Sequence, residues 1–564
     1  MKKKLFNILV AASLISYFTS LLIFKLDKNF TYRWLTLFFS LLPLILIAVL
    51  RFFSLSPKKK ISSPMKRRGF FLILFLAVLS RLIFLKSYPF VSVGDELRDG
   101  GLNALEIATG ETKNIFGYGR YYAHGLIIPT ITAFFYKIFG GSVLVYRLPA
   151  ALVSVLDIIL FYLLLSLVTK NKFASFFGAM TLISLPLHLF YSRTEIVVIL
   201  SSLFSTLILI SLYILTKRKM KNITDYIFLG TLIGFTFNLH ASVKAFGIIT
   251  LTATIMLCFY QWLSGKLKTR EISLRLFLLI FFLLVGFGPR LLNTPSLSFF
   301  LHTSRVPLAQ EKQLTLSSDN IKEIGERYKR SLLVWVSEPT HSWYPDHKPI
   351  FNPLLFSLMA LGIIVGLAKK NLYLITVFGI TLVTHLTNSA LTDIINGDHR
   401  LAPLYPIGAL FVGVGAGFLI GKLKSKVIKF TFVFSLFIFF SYRSFYFFYS
   451  QPANKNKDIG DYLSMHAIYF LKKNNNLYPF NDLTFFVSPS NYQKFNYLHY
   501  REQYQFFLPE KNILIKENKE IGDNEIYIKN DEQPYLGKTF FIKCNGKKSY
   551  SCPLGFKENI ILHY

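Results

Sequence analysis

Apolar runs of about 18 or more residues recur along the first 450 positions of this chain, and each is long enough for one helix to cross a bilayer. The full sequence of 564 residues is 52% hydrophobic and contains 58 phenylalanines, which is too apolar for a soluble protein of this length. The sequence therefore predicts a polytopic α-helical membrane protein.

We assign thirteen transmembrane spans from these runs. The first follows Met1 and three lysines, as in a signal peptide, but its apolar part is too long, so we interpret it as a retained span. The predicted spans cover residues 5–24, 34–53, 70–88, 143–168, 173–191, 196–215, 226–239, 245–263, 273–292, 352–368, 371–390, 402–421 and 428–448.

The distribution of basic residues predicts the orientation. If the N-terminus is cytoplasmic, the inner segments hold 26 lysines and arginines and the short outer loops hold only 6. The net charge of +33 therefore reflects the positive-inside rule in a cell (plasma or inner) membrane rather than a nucleic-acid partner. Three larger regions then lie outside the cell: loop 89–142, loop 293–351 and everything after about residue 450.

This topology divides the chain into three regions. Residues 1–69 form two extra transmembrane helices and a basic cytoplasmic loop, and residues 70–449 form a transmembrane unit. In residues 450–564, strand-like runs such as "LTFFVSP" lie beside helical "DIGDYLSMHAIYFLKKN", which predicts a small extracytoplasmic α/β domain. Three cysteines exclude a disulfide framework, although Cys544 and Cys552 are able to pair if that domain is outside.

Polar residues recur at the outer ends of the predicted spans. No phosphate-binding P-loop, CxxC knuckle or HExxH helix accompanies them, so nucleotide hydrolysis and zincin proteolysis lack support. Because all these polar sets lie at one face, we expect them to line one outward-facing cavity, where carboxylates beside cations suit a general base paired with an anion site. The sets are "SVGDELRDGG" (92–101), "YSRTE" (191–195), "NLHASVK" (238–244) and "NGDHR" (396–400).

The order of these segments resembles that of the GT-C glycosyltransferase superfamily, in particular the protein O-mannosyltransferases and the lipid A aminoarabinose transferases. The resemblance rests on the acidic pair of "DELR" after an early span and on "GGSVLVYRLP" at 140–149. It rests also on "SLPLHLFYSRTE" and on "HRLAPLYPIGALFVGVGAG", and it extends over residues 70 to about 425. A GT-C-like fold is therefore expected for this region.

That resemblance implies an inverting transfer of a sugar from a polyprenyl phosphate carrier to an acceptor hydroxyl of a glycan, lipid or protein on the outer face. Asp95 matches the catalytic base, and Glu96 would orient the acceptor or a neighbouring cation. Asp99 is interpreted as solvating a helix turn. The candidates for binding the donor phosphate are Arg98, His124, Arg193, Lys244, His399 and Arg400.

One departure from the family pattern concerns a metal ion. Many relatives carry a Lys-Pro pair before the second loop helix, sometimes with an acid that helps to bind a metal. This chain has "YYAHGLI" there, so His124 stands in for the lysine and the acid is missing. A divalent metal ion is therefore left open, and the polyprenyl phosphate sugar is the donor substrate.

Other interpretations remain open at this point. A flippase or transporter of polyprenyl-linked glycans, an O-antigen ligase or polymerase, and a non-catalytic scaffold fit the same composition. Anchoring of span ends at lipid headgroups is an alternative role for Arg193 and Arg400, and His188 is interpreted as a tolerated span-end residue. Arg81 lies inside a span, where both a structural and a functional role are open.

Overall fold

The computed structural model describes most of the transmembrane region and the strands of the C-terminal region. The described residues are 3–26, 34–42, 64–86, 100–117, 125–194, 197–293, 318–341, 348–392, 394–449, 482–487, 512–517, 519, 525–530, 539–543 and 559–563.

Helices dominate the described part of the chain up to residue 449. In chain order they are α1 (Lys3–Leu26), α2 (Pro64–Leu82), α3 (Asn103–Thr109), α4 (Ile127–Phe139), α5 (Val143–Thr169), α6 (Lys172–Ser184), α7 (Pro186–Tyr191), α8 (Val198–Lys217), α9 (Ile223–Thr236), α10 (Ala241–Leu263), α11 (Thr269–Asn293), α12 (Ser318–Leu333), α13 (Pro353–Ala368), α14 (Leu372–His385), α15 (Asp398–Leu401), α16 (Tyr405–Lys422) and α17 (Lys426–Tyr449). A π-helical turn, Leu386–Ala390, continues α14, and a 3₁₀ turn, Ala402–Leu404, joins α15 to α16.

Six of these helical stretches are long and apolar enough to cross a membrane. They are Val143–Thr169, Val198–Lys217, Ala241–Leu263, Thr269–Asn293, Leu372–Ala390 and Asp398–Lys422. Shorter apolar helices lie in six further predicted spans, and residues 34–42 of the remaining one are helical. The chain is therefore a multi-pass membrane protein, and the total of thirteen spans stays a prediction.

Asparagine side chains start several of the helices. At each of these positions the side-chain oxygen accepts a hydrogen bond from a backbone N–H in the first turn, which would otherwise lack a partner. Asn171, Asn222, Asn352 and Asn371 begin α6, α9, α13 and α14 in this way. These polar residues between apolar runs mark the helix boundaries in the sequence.

Glycines let α9 and α11 approach closely. A Cβ at Gly234 would lie 2.0 Å from the Leu283 carbonyl oxygen, and one at Gly230 would lie 2.4 Å from that of Leu279. Gly286 of α11 makes the reciprocal approach, since its Cβ would lie 2.4 Å from the Thr231 oxygen. Small residues spaced by four positions are a common means of packing helices within lipid.

The C-terminal region contains a five-stranded mixed sheet. Its strands are β1 (Asp482–Val487), β2 (Asn512–Glu517), β3 (Glu525–Asn530), β4 (Thr539–Lys543) and β5 (Asn559–His563). The order across the sheet is β2-β1-β3-β4-β5, with β1 and β2 parallel and the other pairs antiparallel. The helical run expected at 458–474, Cys544 and Cys552 lie outside the described residues, so the α/β character of this region stays a prediction.

The glycine contacts predict a selective loss of stability. Gly234→Ala forces a methyl group against the Leu283 carbonyl and should lower the free energy of unfolding by about 1–3 kcal/mol. Gly379→Ala in α14 is the matched control, because nothing lies within 4 Å of its Cβ position. Thermal unfolding of the detergent-solubilised variants measures both effects, and equal melting of Gly234→Ala and wild type would contradict the packing.

Candidate functional site

The structure describes half of the predicted site residues. Arg193, Lys244, His399 and Arg400 are described, whereas Asp95, Glu96, Arg98 and His124 lie outside the described residues. The roles of these last four residues stay predictions.

Lys244 and Arg290 form a pair of buried cations. Lys244 lies in the first two turns of α10 and is 5% exposed, and Arg290 lies near the end of α11 and is 1% exposed. Their helices are in contact, and the two like charges interact unfavourably. Arg290 donates from Nη1 to the Gly117 carbonyl, 3.4 Å away, whereas the Lys244 ammonium has no hydrogen bond or ion pair with any described residue.

His240 caps the start of α10 one turn before Lys244. Its Nδ1 accepts from the Ser242 backbone N–H at 3.3 Å and lies 2.8 Å from the Ser242 hydroxyl, which also bonds to Ser201 of α8. The His240 ring meets that of His399 edge-on, with 5.7 Å between centroids. Residues of "NLHASVK" and "NGDHR" are therefore neighbours in the fold.

Asp398 joins a third polar set to these two. Its Oδ1 accepts from the Tyr191 hydroxyl at 2.7 Å, and its carbonyl accepts from the Tyr405 hydroxyl at the same distance. Tyr191 opens "YSRTE", so residues more than 200 positions apart converge at one end of the bundle. His399 and Arg400, which follow on α15, are partly exposed there.

The π-helical turn supplies a residue that sequence reasoning missed. Asn388 donates from Nδ2 to the Ser242 carbonyl at 2.9 Å and to the Arg400 carbonyl at 3.0 Å. One side chain thus bonds to both basic segments, α10 and α15. π-turns are frequent at functional sites, but none of the patterns used above marked this one.

Gly125, which follows His124 in the chain, lies against the segment that leads into α10. A Cβ at Gly125 would lie 1.8 Å from the Asn238 carbonyl oxygen, so only glycine allows this approach. Asn238 precedes His240 by two residues and donates from Nδ2 to the Gly286 carbonyl of α11 at 3.1 Å. Gly125 therefore lies against Asn238, three residues before α10 begins.

Arg193 bonds to the backbone at the end of α2. Its Nη1 donates to the carbonyls of Ser80 and Arg81 at 3.0 and 3.1 Å, and its Nη2 donates to that of Ile83 at 2.7 Å. The side chain is fully buried. The end of α2, which precedes "SVGDELRDGG" in the chain, is thereby bonded to "YSRTE".

A buried charge network lies beneath these contacts. Arg81 donates to Ser154 Oγ at 3.1 Å and to the Ile183 carbonyl at 2.8 Å, so it is held by the protein and does not snorkel. Its Nη2 lies 2.8 Å from Nδ1 of His188, whose Nε2 lies 3.1 Å from Asp157 Oδ2. Because arginine has no acceptor, His188 accepts at Nδ1 and donates to Asp157 from Nε2.

His188 is therefore part of this network and not merely a tolerated span-end residue. Asp157 receives a second bond from the Ser202 hydroxyl at 2.6 Å, and its Oδ1 has no hydrogen-bond partner among the described residues. An acid in the middle of an apolar run was a visible signal in the sequence, as was the arginine near the end of span 273–292. Neither Asp157 nor Arg290 was selected from the sequence.

The described arrangement favours an anion over a cation as ligand. Lys244 and Arg290 are both buried, and Arg400 belongs to a segment bonded to α10 through Asn388. In the described part of the chain, no three His, Cys, Asp or Glu side chains are grouped to hold a metal ion. Cations in a sheltered site bind phosphate through charge-assisted hydrogen bonds.

The solved structures similar to this chain include two crystal structures of ArnT from Cupriavidus metallidurans. The ArnT bound to undecaprenyl phosphate is 14% identical, with a TM-score of 0.43, and the apo ArnT is 12% identical, with a TM-score of 0.42. Each alignment covers 78% of this chain and 75% of the ArnT chain. No protein-family model matches the sequence, and no curated protein matches it.

The buried network predicts that removing its acid lowers the free energy of unfolding more than removing a neutral acceptor does. Asp157→Ala leaves the charge of Arg81 without its acid and should lower the free energy of unfolding by about 3–5 kcal/mol. Ser154→Ala, the control, removes one neutral acceptor of Arg81 and should lower it by only about 1–3 kcal/mol. Thermal unfolding compares the two, and a larger loss in Ser154→Ala would contradict the charge balance.

Proposed function

We propose that this protein transfers a sugar from a polyprenyl phosphate carrier to an acceptor hydroxyl at the outer face of the membrane. The proposal joins three things: a multi-pass helical bundle, a buried cationic pair at the end where the polar segments meet, and an acidic pair in the segment that follows α2.

The observation that carries the proposal is the pairing of Lys244 with Arg290. Both cations are buried, and a buried cation is unfavourable unless acceptors or an anion compensate it. Lys244 has donors to offer, since its ammonium bonds to no described residue. A phosphate on a lipid carrier is an anion that accepts hydrogen bonds from an ammonium group, and it is itself confined to the membrane, where these residues lie.

The chemistry then needs a base and a stabilised leaving group. Asp95 takes the proton of the acceptor hydroxyl while that oxygen attacks the anomeric carbon with inversion. The bond from that carbon to the phosphate oxygen breaks, and its electron pair leaves with the polyprenyl phosphate. Glu96 orients the acceptor or a neighbouring cation, and no general acid is required because cations stabilise the phosphate.

The remaining basic candidates complete the phosphate site in this proposal. Arg400 and His399 approach it from α15, and His124 approaches it through the loop that begins again at Gly125. Arg98 follows the acidic pair by two residues. The donor phosphate would thus be surrounded by cations from four separate segments, and the acceptor would enter beside Asp95.

A lysine substitution tests the phosphate site. Lys244→Met should weaken binding of undecaprenyl phosphate about 10- to 100-fold, because a hydrogen bond to a charged group contributes about 1.5–3 kcal/mol. Lys217→Met is the control, since Lys217 is exposed at the opposite end of α8. Titration of the lipid into nanodisc-embedded protein measures the affinity, and unchanged binding by Lys244→Met would rule out this phosphate site.

An acid substitution tests the base. Asp95→Asn should lower turnover of a polyprenyl phosphate sugar about 10²- to 10⁴-fold, because the amide does not accept the proton, while leaving lipid binding intact. Asp99→Asn, four residues along, should retain the wild-type rate. Release of polyprenyl phosphate together with a new glycosidic bond is the readout, and a flippase would produce neither.

A further inference from the structure

At the end of α2, a side chain from a distant segment donates hydrogen bonds to two of the backbone carbonyls. The last four carbonyls of an α-helix have no partner within the helix. Here the Leu79 and Leu82 carbonyls accept from the backbone N–H groups of Ile83 and Leu85 at 3.0 and 3.2 Å. The two between them, on Ser80 and Arg81, accept from Arg193, so a side chain from a distant segment completes the helix end.

Arginine side chains also bond to backbone carbonyls beyond the end of α2. Arg193 also donates to the Ile83 carbonyl, and Nη1 of Arg147 in α5 donates to the Leu85 carbonyl at 3.3 Å. Both arginines are fully buried. Residues Ser80–Leu85 are therefore held through four of their carbonyls by two guanidinium groups from outside α2.

The backbone between these contacts is strained. Phe84 has a φ of +51°, in the left-handed region that favours glycine, and its side chain is 59% exposed. A non-glycine residue in such a conformation costs about 1–3 kcal/mol and persists where its surroundings dictate it. The contacts of Arg193 and Arg147 on either side of Phe84 provide that restraint.

This arrangement suggests a role for Arg193 other than binding phosphate. Its two terminal nitrogens already bond to three carbonyls, and releasing them to a ligand would expose the end of α2. Lysine has the charge but lacks the planar, forked donors that reach several acceptors at once. An arginine is needed here for its geometry.

We propose that Arg193 and Arg147 are positioning residues that fix the path of the chain from α2 toward Asp95. Asp95 follows Leu85 by only ten positions, so the place at which Leu85 is fixed limits how far away the base can lie. The inference rests on the proposed function for its effect on the reaction. Misplacement of a catalytic group by about 1 Å is enough to slow a reaction about 100-fold.

The test separates positioning from phosphate binding. Arg193→Lys should lower kcat about 100-fold while the affinity for undecaprenyl phosphate and the KM for the donor stay within about twofold of wild type. Arg275→Lys is the matched control, because Arg275 is a buried arginine that donates to the Lys221 carbonyl at the start of α11 and should change neither quantity. Arg147→Lys repeats the test on an independent contact if Arg193→Lys fails to fold.

A labelling experiment reports on position without any activity. In an Asp95→Cys background, adding Arg193→Lys or Arg147→Lys should change the rate of modification by a membrane-impermeant maleimide at least about threefold, and Arg275→Lys should not. If wild type shows neither transfer nor lipid binding but the labelling rates change as expected, the proposed function fails and the positioning role stands. Weaker lipid binding with kcat retained, or labelling rates that do not change, would overturn the inference.

Discussion

A charge inside a membrane protein stays buried only where the protein itself supplies its partners, and Arg81 imposes this condition on the bundle. Its guanidinium bonds to α5 through Ser154, to the end of α6 through the Ile183 carbonyl, and to α7 through His188. His188 passes the interaction on to Asp157, which also binds Ser202 of α8. Four helices are thereby fixed around the end of α2, and these helices hold the polar segments at that end of the bundle in place.

The sequence predicted most of what depends on length, hydrophobicity and order. Apolar runs locate the membrane-spanning helices because the hydrocarbon thickness sets their length. The convergence of "YSRTE", "NLHASVK" and "NGDHR" was also predictable, because each segment joins the same ends of neighbouring spans. Contacts such as that of Tyr191 with Asp398 are the result.

The sequence could not predict how backbone groups choose their partners. Arg193 looked like a phosphate ligand because its residue type and position fit that role, but it donates to three main-chain carbonyls, which carry no signature in the sequence. Asn388 escaped notice for the same reason, since both of its acceptors are carbonyls. Arg290 was hidden in a predicted span, where an arginine near the end of a helix has a common explanation as an anchor at the membrane surface.

The π-helical turn after α14 divides one span into two parts whose side chains have different neighbours. At this turn the Leu391 N–H reaches back five residues to the Leu386 carbonyl, so the helix accommodates one residue more than an α-helical turn would hold. The side chains beyond it are rotated relative to those before it. Substitutions in Leu372–His385 are therefore constrained by lipid and neighbouring helices, whereas those in Leu386–Ala390 are constrained by α10 and α15. Deleting one residue from the turn would give both segments a single α-helical register and would rotate the side chains of one segment away from their present neighbours.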